Sequence, residues 1–196
     1  MNIFVLHEKP DIAAKLLYDK HIAKMAIEAV QMLSAGIRLQ LGRQGEMLLW
    51  RTGRQEKYKF CLEAELGSEQ IIYLLSHHNH PCSVWARSSE ANFLWLYEHA
   101  LTICRIQAAR NGKQPKTMDT LMKCLEYLPF LDFKHTGLTP FANATGLSLN
   151  PGETVVDMYR RYYSTVKQRL AIYGKRQMSL DERIREVLGE TDDQAC

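Results

Sequence analysis

The stretch DKHIAKMAIEAVQML, residues 19–33, decides how the rest of the chain is read. At 100° of turn per residue, His21, Lys24, Glu28 and Gln31 fall within an arc of about 80° on an α-helix, one above the next. The other positions, Ile22, Ala23, Met25, Ala26, Ile27, Ala29, Val30, Met32 and Leu33, cover nearly all the remaining circumference, the pattern of a helix enclosed on most sides. An enclosed helix cannot leave a carboxylate and an ammonium unpaired without a large desolvation cost or a shifted pKa. The stripe therefore lines something polar, as a pocket with a few convergent polar groups would require. A purely structural Lys24–Glu28 pair one turn apart, or a buried His–Glu hydrogen bond, is the alternative.

The 196 residues suffice for one full core, and no Pro/Ser/Gly-rich linker divides them. Hydrophobic residues at 46% and charged residues at 24% exclude a disordered or fibrous chain. A formal charge of +3 does not by itself signal nucleic acid, but it permits a locally basic face. The N-terminus, MNIFVLHEKPD, lacks the basic segment of a signal peptide, and its apolar run is too short to span a membrane, so the expected location is cytoplasmic. Five cysteines, odd in number and without a CxxC pair, argue against a disulfide framework or zinc ribbon and for reduced, packed thiols.

Outward from the opening helix, residues 2–6 are either a short strand or a buried tail. Pro10 and Asp11 start a helical pattern that runs to about Ser34, with a break near Tyr18 and Asp19. Gly36, Gly42, Gly45 and Gly53 then mark a basic, less regular region in which Arg38, Arg43, Arg51, Arg54, Lys57 and Lys59 interleave with Trp50 and Tyr58; it is either a solvated loop or a surface facing nucleic acid. Ser88 or Ser89 caps a long helix to about Arg110, with Asn111-Gly112 as its stop. Further helices fit residues 117–127, 153–172 and 180–188. The expected architecture is mainly α: one compact helical domain over residues 1–190 and a flexible tail at 191–196.

Two other stretches carry candidate chemistry. In HHNHPCSVWAR, residues 77–87, three histidines crowd one loop without a carboxylate or cysteine at ligand spacing, so a His80-Pro81 turn is preferred to a metal site. That turn would set Trp85 and Arg87 at the mouth of the long helix, with Asn92 one turn in. Such a group suits a phosphate or nucleobase, or is simply a surface arginine stacked on Trp85. In YRRYYSTVKQR, residues 159–169, Tyr159 and Arg160 are placed either to stack bases and hold phosphate or to form an ordinary amphipathic face. GxGxxG, P-loop, GxSxG, HExxH and EF-hand patterns are missing, which withdraws the usual support for nucleotide-cofactor, ATPase, serine-hydrolase and zincin readings.

Asp19, His21 and Glu28 on one early helix, close behind a short N-terminal segment, resemble the pyrimidine-dimer DNA glycosylases, the phage endonuclease V family. The His80-Pro81 turn, the helix through Phe93 to Arg110 and Gly112, and the tyrosine-rich segment 159–173 look like later parts of that family. The chain also looks like a group of phage proteins that begin MNIFVL and carry a DKHxxKMxxExxQML helix. The resemblance implies the endonuclease V fold, a DNA or nucleotide partner, no membrane, no metal or other cofactor, and the cytoplasm of a bacterial host. It further implies a catalytic Glu28 and an N-terminal α-amine as nucleophile. Asn2 is bulky enough to favour retention of the initiator, so the amine would be that of Met1. The family's arginines flanking its glutamate correspond here to Ile27 and Gln31.

On that reading the amine attacks C1′ of a flipped-out nucleotide, expels the base and forms a Schiff base, and strand cleavage follows by β-elimination. Glu28 handles protons. His21 and Lys24 orient it or hold a phosphate, with Gln31 beside them, while His80, Arg87, Asn92, Tyr159 and Arg160 bind substrate. Two alternatives stay open: a phage enzyme that modifies nucleotides or DNA bases in the same pocket, and a non-catalytic DNA-binding or host-interaction protein.

Overall fold

The structure is a computed structural model that describes residues 1–45, 47–51, 54–58, 60–67 and 69–189. It is mainly α, with seven α-helices among the described residues. Helix α1 (Pro10–Lys15) begins on a proline, whose missing N–H costs nothing in a first turn. It stops before Tyr18, whose extended backbone starts α2 (Asp19–Leu41). Thus the break at residues 18–19 is present, whereas α2 runs seven residues beyond Ser34. The glycine at 36, expected to open an irregular region, sits inside the helix. A Cβ there would lie 3.2 Å from the Arg87 Cβ, so its lack of a side chain lets another segment come close.

Arg38, expected in a basic loop, is fully buried on the extended part of α2. Its guanidinium makes a bidentate pair with the buried Glu65 carboxylate, 2.7 and 2.8 Å, and donates to the carbonyl oxygens of Phe60, Ile72 and Tyr73. Glu65 Oε1 in turn accepts the N–H groups of Ile71 and Ile72. Every charge in this buried network is hydrogen-bonded, the condition under which burial of an ion pair is tolerated. The network fastens residues 60–73 to α2. Between them lies an antiparallel hairpin, β1 (Met47–Arg51) with β2 (Arg54–Tyr58). The side chains at Arg51, Arg54, Lys57, Lys59, Trp50 and Tyr58, proposed as a nucleic-acid face or solvated loop, lie outside the described residues.

Helix α3 (Pro81–Ala86) is short, and α4 (Glu90–Asn111) follows at once, capped by the Ser89 hydroxyl on the Asn92 N–H and closed by Gly112 in the left-handed conformation. Both ends of α4 fall where the caps predict. Helix α5 (Thr117–Glu126) packs on α2 and α4, and α1 also lies on α4. A capping box between Thr154 and Asp157 starts α6 (Val155–Thr165). The expected helix through residue 172 ends early: residues 168–170 tighten into a 3₁₀ turn, and β3 (Ile172–Tyr173) pairs with β4 (Arg176–Gln177). Gly174 and Lys175 turn that ribbon with φ of 54° and 71°, and the Asp19 carboxylate accepts both of their N–H groups. Helix α7 (Leu180–Leu188) matches its predicted span. The tail at 191–196 lies outside the described residues, as does Cys196; the other four cysteines are buried and in no disulfide. No described helix is long and apolar enough to cross a membrane.

Residues 2–6 form no strand. Instead they thread through the core: Ile3, Phe4, Val5 and Leu6 are all buried, and Asn2 nearly so.

Replacing Arg38 with Met leaves Glu65 as an uncompensated buried charge and is expected to lower the unfolding free energy by about 3–5 kcal/mol. Urea unfolding followed by tryptophan fluorescence measures this directly.

Candidate functional site

The buried tail has to be held, because its first turns of backbone have no helix or sheet to satisfy them. Asn2 does most of this. Its Oδ1 accepts the Phe4 N–H at 2.9 Å and its Nδ2 donates to the Ala144 carbonyl at 3.1 Å. Phe4 adopts a positive φ of 39°, a conformation that costs a bulky residue roughly 1–3 kcal/mol and persists only when its surroundings enforce it. Here the enforcement is aromatic. The Phe4 ring stacks on His21, centroids 4.5 Å apart, and meets Tyr163 and Tyr159 edge-on.

At the head of the tail, the Met1 α-amine lies 4.0 Å from Glu28 Oε2. The same oxygen accepts the Asn2 N–H at 3.1 Å, and Lys24 Nζ reaches Oε1 at 2.9 Å. Glu28 thus gathers two cations and a backbone donor while its side chain keeps 17% exposure. The Met1 side chain is only 4% exposed although the residue as a whole is half-buried, so the part of Met1 that faces outward is its main chain. His80, the N-cap of α3, completes the rim: its Nδ1 accepts the Cys82 N–H. Burial lowers the pKa of His80, as do the nearby α-ammonium and His77, while Glu28 opposes them. The Cys82 thiol, pushed up to about 11 by burial, faces the Ile3 backbone and the Tyr159 hydroxyl beneath the tail. Around one carboxylate there are therefore a primary amine, an ammonium and an imidazole, with positive charge in excess. Such a site attracts an anionic ligand and offers it a nucleophile and a proton acceptor.

The polar stripe is open along one side. Ala23, Lys24 and Ile27 are exposed, and Glu28 and Gln31 are half-buried. Ile27 and Ala23, assigned to the enclosed face by periodicity, instead border the stripe toward solvent. His21 lies at its inner edge and is buried. Its Nδ1 lies within hydrogen-bond distance of the Tyr163 hydroxyl, which also accepts the Tyr18 N–H. Burial first, and then Lys24 and Lys167, bring the His21 pKa down to about 4, with Glu28 opposing. A neutral His21 packed on Phe4 positions the tail.

The remaining candidates divide. Tyr159 is buried, donates to the Ala142 carbonyl at 2.9 Å and accepts the Ala144 N–H, so it holds the loop that Asn2 also grips. Arg160 donates to the Leu6 carbonyl and lines a cleft of about 250 Å³ with His7, Glu8 and Asp157. Asn92 is buried with its amide fully engaged by Trp85, Ser88 and Thr139. Trp85 is buried as well and donates to the Thr139 carbonyl. Arg87, expected either to meet a phosphate or nucleobase or to stack on Trp85, donates to the His78 carbonyl and lines a second, separate cleft. Sequence reasoning passed over Asn2, Cys82 and the loop at Ala142–Ala144, whose roles depend on contacts as far as 142 residues apart in the chain. Among the described residues no group of three His, Cys, Asp or Glu side chains is arranged to hold a metal ion.

No protein-family model, no curated protein and no solved structure matches this chain.

His21 and the fully buried His99, also brought down to about 4 by burial, stay neutral in the folded chain at pH values where an unfolded histidine, near 6.5, takes up a proton. The unfolded state binds more protons across that window, so their contribution is complete above about pH 6.5 and is lost as the pH falls toward 4. Urea midpoints are expected to drop from pH 7 to pH 4.5, and less steeply in His99→Phe.

Proposed function

We propose that this protein is a DNA-processing enzyme with the chemistry of a glycosylase and abasic-site lyase, using the Met1 α-amine as nucleophile and Glu28 as its acid–base partner. The observation that carries this reading is the amine held 4.0 Å from Glu28 at the end of a buried, fastened tail. A surface chain end would fray. This one is fixed by Asn2, by a strained Phe4 and by an aromatic layer, an investment that a precisely aimed reactive group requires and a loose terminus does not.

In the lyase half of the reaction the neutral amine adds to C1′ of a ring-opened abasic deoxyribose and loses water to give an iminium. The iminium withdraws electrons from C2′. The Glu28 carboxylate takes the C2′ proton, the C3′–O bond breaks, and the phosphate leaves with that electron pair. Water then hydrolyses the imine and restores the amine. With an intact nucleotide the same attack would displace the base, which needs a proton as it departs; Glu28 is the acid–base group in reach. Lys24, 60% exposed and paired with Glu28, supplies positive charge for the flanking phosphate.

Borohydride added to a mixture of the protein and DNA bearing one abasic site is expected to trap a covalent adduct whose mass maps to Met1, and acetylation of the α-amine should prevent it. Glu28→Gln is expected to slow strand cleavage by about 10²–10⁴-fold while still yielding an adduct. The competing reading, an ion pair that only anchors the tail, is favoured if folded protein with a free amine gives no adduct and Glu28→Gln changes stability alone. An adduct on Lys24 would displace Met1 as the nucleophile.

A further inference from the structure

About 12 Å along α2 from Glu28, eight residues at 1.5 Å each, Gly36 brings the backbone of α2 against Arg87. There a cleft of about 500 Å³ opens between Leu39 and Gln40 of α2, Val84, Arg87 and Ser88 at the end of α3, and Asp132 and Lys134. We propose that this cleft is a nucleotide-binding site, in which Arg87 and Lys134 hold one phosphate while Leu39, Val84, Gln40 and Asp132 receive the nucleoside.

Arg87 is the strongest indication. It is half-buried, and among the described residues its one hydrogen bond goes to a carbonyl oxygen and no carboxylate pairs with it. Burial alone depresses its pKa. A partly desolvated guanidinium without a counter-charge is costly, and an anion in the adjoining cleft removes that cost. Lys134, exposed and lining the same cleft, adds a second positive charge. The nearby N-terminus of α4 is not the anion binder: its first N–H groups are taken by the carbonyl oxygens of His135 and Thr136 and by the Ser89 hydroxyl.

The rest of the lining favours a nucleotide over a bare anion. Asp132 places a carboxylate in the same cleft, which repels a second phosphate or a free dianion and suits a ligand charged at one end only. Gln40 Oε1 accepts the Asp132 N–H, which leaves the amide NH₂ as a donor, and Asp132 brings a carboxylate acceptor to the same lining. A lining that offers both a donor and an acceptor suits the hydrogen-bonding edge of a base. Val84, 43% exposed, and Leu39 supply an apolar wall for its face. The volume lies within the range of small-ligand sites. The ligand is a free nucleoside monophosphate or one nucleotide of a DNA strand, and the site stands independently of the amine chemistry.

Calorimetric titration of the full chain with thymidine 5′-monophosphate tests the assignment, with thymidine, inorganic phosphate and a short oligothymidylate as comparison ligands. Saturable binding is expected, with thymidine and phosphate each weaker by at least about tenfold. Arg87→Gln and Lys134→Gln should each weaken binding by a similar factor; the second guards against a fold effect, since Arg87 also holds the His78 carbonyl and Lys134 is exposed. Oligothymidylate that competes and binds more tightly identifies a strand, and equal or weaker binding identifies the free nucleotide; either supports the site. Absence of saturable binding to folded protein, equal affinity for thymidine or for phosphate, or wild-type affinity in Lys134→Gln would overturn it.

Discussion

A carboxylate at the edge of α2 and a chain end threaded through the core hold each other in place, and the surrounding structure is arranged around that grip. Glu28 takes the Asn2 N–H and faces the α-amine, so the tail can enter the interior without stranding its first donors. Asn2 then passes the constraint in two directions, to Phe4 and to the loop at Ala144. Tyr159 of α6 fixes that loop from below, and Tyr163, one turn on, ties His21 to the Tyr18 backbone. Removing the tail would expose the inner faces of α2 and α6 together. The segment therefore does the work of a central strand without a sheet.

Helices with local signals were legible from the sequence. Ser89 and Gly112 bound α4 where caps should, and α7 matched because Ser179 and Glu182 form a capping box. Elements bounded by distant contacts were not. Helix α2 continues past Ser34 because Arg38 finds Glu65 across 27 residues, and no periodicity foretells that partner. The tyrosine-rich segment leaves the helix after Thr165 because Asp19 accepts two N–H groups of a turn more than 150 residues away.

The candidate site divides along the same line. The spacing of Lys24, Glu28 and Gln31 put them on one face, because helical geometry is local. The same spacing placed His21 with them, yet its burial depends on Phe4 and Tyr163, which reach it only in the folded chain. Asn92 and Tyr159 have the residue types of ligand-binding groups, and the fold uses both to fasten loops. Polar residues in a small domain serve its interior first, and what remains with unmet bonding capacity is the better guide to a ligand.

The placement of Met1 also bears on how the protein can be handled. An affinity tag or any other residue joined ahead of Met1 turns the ammonium beside Glu28 into a neutral amide. The fused protein would keep its helices and its spectra while one of the two cations that face Glu28 was gone. On the proposed chemistry a preparation carrying an N-terminal handle lacks the nucleophile, whereas one carrying a C-terminal handle keeps it.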